Sequence, residues 1–124
     1  MPTVIVIEDQ KPVRDSIGEI LELIGCETRL VGDGQVALDI LLKSKFNLIT
    51  LDLNMPSLDG LSLAESLSIQ ENPNNDTPII VISAYLSEDT LTSIKELGIK
   101  HWLPKPFEAE ELIKLVRSTL NIKE

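Results

Sequence analysis

Three carboxylates, a hydroxyl and an ammonium stand out in this chain because each follows directly on an apolar run. Thr3-Val4-Ile5-Val6-Ile7 ends in Glu8-Asp9, and Leu48-Ile49-Thr50-Leu51 ends in Asp52. Ile79-Ile80-Val81-Ile82 ends in Ser83-Ala84, and a shorter run from Ile99 to Leu103 ends in Pro104-Lys105-Pro106-Phe107. Runs of this kind read as parallel strands covered on both faces, and the carboxyl edge of such a sheet is where open α/β proteins bind and react. A single polar residue there is as readily a solvated strand end, and an Asp as readily a helix N-cap. Complementary groups at four strand ends favour chemistry.

Glu8, Asp9 and Asp52 offer only hard oxygens, with no Cys or His close to them in sequence, so the expected ion is Mg²⁺ rather than zinc. Clustered and unpaired, the three would repel and raise one another's pKa, which a divalent cation relieves. Lys105 supplies a point charge for a phosphoryl oxygen, and Ser83 a rotatable donor. Metal, ammonium and hydroxyl together are the equipment of phosphoryl transfer, where positioning and charge neutralisation do most of the work. Asp52 is then the expected acceptor, forming an aspartyl phosphate.

Helical periodicity fills the gaps between the runs. Val13, Ile17, Ile20, Leu21 and Ile24 recur at helical spacing, with Pro12 in the first turn and Gly25 as a stop. Glu27 to Val31 reads as a short edge strand. Gly32-Asp33-Gly34 leads into a helix with Val36, Ala37, Ile40 and Leu41 on one face, and Leu61, Ala64, Leu67 and Ser68 outline a third. The polar stretch Glu71-Asn72-Pro73-Asn74-Asn75-Asp76-Thr77 reads as a mobile connector. Ser87 caps a fourth helix carrying Leu91, Ile94 and Leu97, closed by Gly98, and Leu112, Ile113, Val116 and Leu120 mark a fifth. The alternation predicts a (βα)₅ parallel sheet with right-handed crossovers, covered on both faces.

The 124 residues suit one domain, expected over 1–124. With 43% hydrophobic residues and only four aromatics, the core should be aliphatic. A net charge of −9 argues against nucleic acid and anionic membrane surfaces as partners of this chain. A lone Cys26 cannot form an internal disulfide, which fits the cytoplasm, and it reads as a small buried hydrophobe. The first apolar run is too short for a signal peptide, and nothing reaches the roughly 18 apolar residues of a membrane span. Asn121 to Glu124 closes the chain just past the fifth helix with no further domain in view, and the natural-looking Met1-Pro2 start argues against a place at the C-terminal end of a longer chain.

Taken together these residues resemble the receiver domain of two-component response regulators, over essentially the whole chain. Glu8 and Asp9 match that family's acidic pair, Asp52 its phosphoacceptor, Ser83 its hydroxyl position, and Lys105 the lysine before a typically cis proline, here Pro106. Met55-Pro56 and Asp59-Gly60 match the loop after the acceptor. The resemblance implies a flavodoxin-like strand order, 2-1-3-4-5. It implies that Asp9, Asp52 and the Asn54 carbonyl bind Mg²⁺ directly, with Glu8 acting through water, and that the amides of Asn54 and Ala84 reach the phosphoryl group. It implies a sensor histidine kinase or a histidine phosphotransfer protein as donor, and a downstream protein reading a switch made by Ser83 and an aromatic. That aromatic is usually Tyr or Phe; here it is Trp102, expected on a partner face formed by the fourth helix, fifth strand and fifth helix.

Other readings divide on particular residues. A flavin site would want a phosphate-binding loop where Glu8-Asp9 stands, and more aromatics. An aspartyl-phosphate phosphatase needs a second acid two residues past its nucleophile, where this chain has Asn54. A degenerate receiver, serving only as a phosphorylation-independent binding module, should lack one of the key residues. His101, lone and inside a short strand, reads as structural or surface, and Tyr85 as a loop aromatic or a pocket-mouth residue.

Overall fold

In the computed structural model, which describes residues 1–121, five strands and five helices alternate strictly along the chain. They are β1 (Thr3–Ile7), α1 (Lys11–Leu23), β2 (Glu27–Val31), α2 (Gly34–Leu41), β3 (Leu48–Leu51), α3 (Gly60–Ser68), β4 (Ile79–Ser83), α4 (Glu88–Glu96), β5 (His101–Pro104) and α5 (Ala109–Leu120). The strands form one parallel sheet in the order β2-β1-β3-β4-β5, as the resemblance implies. The expected domain bounds of 1–124 include Ile122-Lys123-Glu124, which lie outside the described residues.

The pleat assigns alternate residues to two cores. Ile5, Ile7, Ile49, Leu51 and Val81 face α2, α3 and α4, meeting Ala37, Leu41, Leu63, Leu67 and Ile94. Val4, Val6, Leu48, Ile80 and Ile82 face α1 and α5, meeting Ile17, Leu21, Leu112 and Val116. Central strands buried on both faces have no polar side to show, which is why β1, β3 and β4 read as continuous apolar runs. Fully burying each such side chain contributes about 1.5–3 kcal/mol.

Helix ends follow their local chemistry. Pro12 sits in the first turn of α1, and Gly25, at φ +89°, supplies the left-handed residue after it. Asp33, Asp59 and Ser87 each accept a backbone N–H at the start of α2, α3 and α4, and Glu108 and Glu111 form a reciprocal capping box on α5. Cys26 is buried, and burial pushes its thiol above the ordinary value.

Three expectations need correction. Val36 is 51% exposed, and Leu38 takes its place in the core. β5 begins at His101 rather than Ile99, because its pairing with β4 starts at Ile80↔His101; Ile99 is buried ahead of the strand. The stretch from Asn72 to Thr77 is not a loose connector. Buried Asn74 donates to the Leu41 and Ser44 carbonyls and accepts from the Phe46 N–H, while Asn72 and Asn75 both donate to the Leu67 carbonyl.

Candidate functional site

The carboxyl ends of β1, β3, β4 and β5 converge because ladder bonds continue one residue past the strands. The Glu8 N–H donates to the Val31 carbonyl, that of Asp52 to Ile7, and that of Lys105 to Ser83, each at 3.0 Å. Glu8 and Asp52 are therefore only 1% and 5% exposed, Ser83 is fully buried, and Asp9 is half-buried at the rim. One carboxylate oxygen from each of Glu8, Asp9 and Asp52 lies within 4.8 Å of the other two.

Lys105 spans two of these acids, with Nζ 2.6 Å from Glu8 Oε1 and 3.5 Å from Asp52 Oδ2. The Gln10 N–H donates to Glu8 Oε2. Burial pushes the Glu8 carboxyl above its ordinary value and the Asp52 charge adds to this, while the bonds from Lys105 and Gln10 act the other way. With all three acids ionised, one ammonium leaves the cluster at a formal −2. Such a charge, with two of its three carboxylates buried, is relieved by a compact dication, and an oxygen-only donor set suits a hard one.

The loops after β3 and β4 frame Asp52. The Asn54 N–H donates to Asp52 Oδ1 at 3.3 Å, and Asn54 Nδ2 to Ser83 Oγ at 3.4 Å. The Tyr85 N–H also approaches Ser83 Oγ, and Ala84 between them is exposed and offers no bulk. Gly60 closes the first loop on Asp52 itself: its N–H donates to the Leu53 carbonyl, and a Cβ there would stand 2.2 Å from the Asp52 carbonyl oxygen. The Lys105–Pro106 bond is cis, as expected. Trp102 lies half-buried on the α4 side of β5, its ring under Lys95 Nζ at 5.4 Å from the centroid.

The sequence of residues 4–117 matches the family model described as the response regulator receiver domain. This chain belongs to that family. The receiver is 33% identical over 117 residues to the response regulator MprA of Mycolicibacterium vanbaalenii, covering 94% of this chain and 49% of that protein. The chain thus spans about half the length of the curated relatives it matches. Among solved structures it is similar to the Francisella response regulator 1452 receiver domain, at 33% identity and a TM-score of 0.88 over 98% of both chains. It is also similar to the receiver domain of the sensor histidine kinase PA1611 from Pseudomonas aeruginosa, at 26% identity and a TM-score of 0.86 over 97% of this chain and 98% of that one. That structure has a magnesium ion coordinated in its active-site cleft.

The structure brings Glu8, Asp9, Asp52, Asn54, Ser83 and Lys105 into one pocket. Sequence reasoning passed over Arg14, whose guanidinium bonds the Glu8 and Asp9 carbonyls from α1. The available signal was an arginine five residues after the acidic pair.

Proposed function

We propose that this receiver accepts a phosphoryl group on Asp52 from a phosphohistidine, on a sensor histidine kinase or a histidine phosphotransfer protein, in a Mg²⁺-dependent reaction. The observation that carries the proposal is the near-buried Asp52 at a strand end, grouped with Glu8 and Asp9 and only 3.5 Å from Lys105. Asp9, Asp52 and the Asn54 carbonyl would hold the ion, with Glu8 acting through water. Bound there, Mg²⁺ supplies positive charge against the transferring oxygens.

The chain's own residues do the rest. A carboxylate oxygen of Asp52 forms the O–P bond as the P–N bond to the donor imidazole breaks, and the electron pair leaves with that nitrogen. Lys105, shared with Glu8 before transfer, is placed to neutralise a phosphoryl oxygen. The amides of Asn54 and Ala84 offer donors to the others, and the Ser83 hydroxyl closes onto the group. Asn54 stands where a phosphatase would carry its general acid, so the acyl phosphate persists long enough to signal. Beyond its own phosphorylation and slow dephosphorylation, the chain is a signalling component rather than an enzyme.

The resulting switch biases the face of α4, β5 and α5, where Trp102 is an aromatic anchor for a downstream protein. The charge of −9 disfavours nucleic acid on this chain. No helix among the described residues is long and apolar enough to cross a membrane, and we place the receiver, spanning 1–124, in the cytoplasm with its donor. Incubation with acetyl phosphate should add one phosphoryl group by intact mass in Mg²⁺, and none in excess chelator or in Asp52→Asn. Equal modification with and without Mg²⁺ would reject the proposal.

A further inference from the structure

Arg14 reaches back from the first turn of α1 to the segment that carries two of the three pocket acids. Its Nη1 donates to the Glu8 carbonyl at 2.8 Å and to the Asp9 carbonyl at 3.3 Å. β2 ends at Val31, level with Ile7, so neither carbonyl is followed by a strand partner in the β1–β2 register. A charged donor from the helix takes that role, and it grips the two peptide planes that set where the Glu8 and Asp9 side chains leave the backbone.

Gly32 supplies an independent observation. An ideal Cβ at Gly32 would lie 2.4 Å from Arg14 Nη1 and 3.2 Å from Cζ, and its three nearest atoms all belong to that guanidinium. Gly32 does not have the positive φ that Gly25 and Gly98 show. Its missing side chain therefore provides space for Arg14 rather than backbone freedom.

We propose that Arg14 is a positioning residue for the metal-binding carboxylates, seated over Gly32 so that its guanidinium fixes the Glu8-Asp9 turn in its ion-ready form. The inference rests on the Mg²⁺ site proposed above. It separates from a plain charge effect by sign. By Coulomb's law alone, removing a cation beside an acidic pocket tightens Mg²⁺ binding. Loss of positioning weakens it, as loss of supporting hydrogen bonds around a metal site does, by roughly ten- to a hundredfold.

The experiment is calorimetric Mg²⁺ titration of the full chain, well below its unfolding temperature, for the parent, Arg14→Met, Arg14→Lys, Gly32→Ala and, as a reference, Asp9→Asn. Arg14→Met should weaken Mg²⁺ about tenfold or more. Gly32→Ala, which displaces the guanidinium while keeping its charge, should weaken it in the same direction, and Arg14→Lys should fall between Met and the parent. In chelator, amide exchange at Asp9 and Gln10 should quicken in Arg14→Met and Gly32→Ala. Mg²⁺ binding by folded Arg14→Met as tight as the parent's, or tighter, overturns the proposal; if that variant does not fold, unchanged affinity in Gly32→Ala overturns it. A parent that binds no Mg²⁺, or an Asp9→Asn that binds as well as the parent, overturns the site reading itself and this inference with it.

Discussion

Replacing Asn74 with Ala should be among the most damaging single changes to this receiver, although Asn74 lies at the opposite end of the sheet from Asp52. The side chain is 3% exposed and makes four hydrogen bonds. Oδ1 accepts from the Phe46 N–H at 2.8 Å and from the Thr77 hydroxyl at 3.0 Å; Nδ2 donates to the Leu41 and Ser44 carbonyls at 2.7 and 2.6 Å. One residue thus satisfies three backbone groups in the α2–β3 connection. At about 1 kcal/mol net per bond the four bonds give a loss of about 4 kcal/mol, a floor to which partners left buried and unpaired add. That is a large share of the 5–15 kcal/mol typical of a domain, and it corresponds to a fall in Tm of about 12 °C at this size. Urea unfolding at 25 °C measures it directly, and Asn74→Asp, which sets a carboxylate against two carbonyls, should be no better. A loss below about 1 kcal/mol would show that water replaces the side chain, and would refute the reasoning.

Thr50→Val should be neutral or stabilising by up to about 1 kcal/mol in urea unfolding, because the buried Thr50 Oγ1 has no hydrogen-bond partner among the described residues. Asp33 accepts from the Val36 N–H and the Ser57 hydroxyl, which hold its carboxyl below its ordinary 3.8. A depressed acid stabilises the fold above its unfolded pKa and loses that contribution as pH falls through the folded value. Asp33→Asn should therefore lower the urea midpoint at neutral pH, and the gap from the parent should close below 3.8. Trp102 is the only tryptophan and already half-buried, so its emission should respond modestly to beryllofluoride in Mg²⁺, whereas a large blue shift with loss of acrylamide quenching would show the ring swinging inward.

The central strands were legible because burial on both faces leaves one kind of residue to use, and their ends were legible because that pattern breaks in Glu8, Asp52 and Ser83. The pocket followed, since parallel topology sends every carboxyl end to one edge. What escaped was tertiary. Helical spacing marked Val36 as apolar without saying which side of α2 the sheet would meet, and Leu38 took the contact. Ile99 has the composition of a strand residue, but β4 sets where pairing begins. The asparagine-rich stretch before β4 looked mobile because side-chain bonds to distant carbonyls have no periodicity to read. Arg14 escaped for the same reason, its partners being carbonyls, which every residue carries.

The central claim is that Asp52 itself carries the phosphoryl group. Borohydride reduction of the protein after acetyl phosphate and Mg²⁺ treatment, followed by peptide mass spectrometry, converts an acyl phosphate to the alcohol where it stood. The account predicts homoserine at position 52, and none there when chelator replaces Mg²⁺. Reduction mapping to Glu8 or Asp9, or phosphate surviving on Ser83 instead, would contradict it.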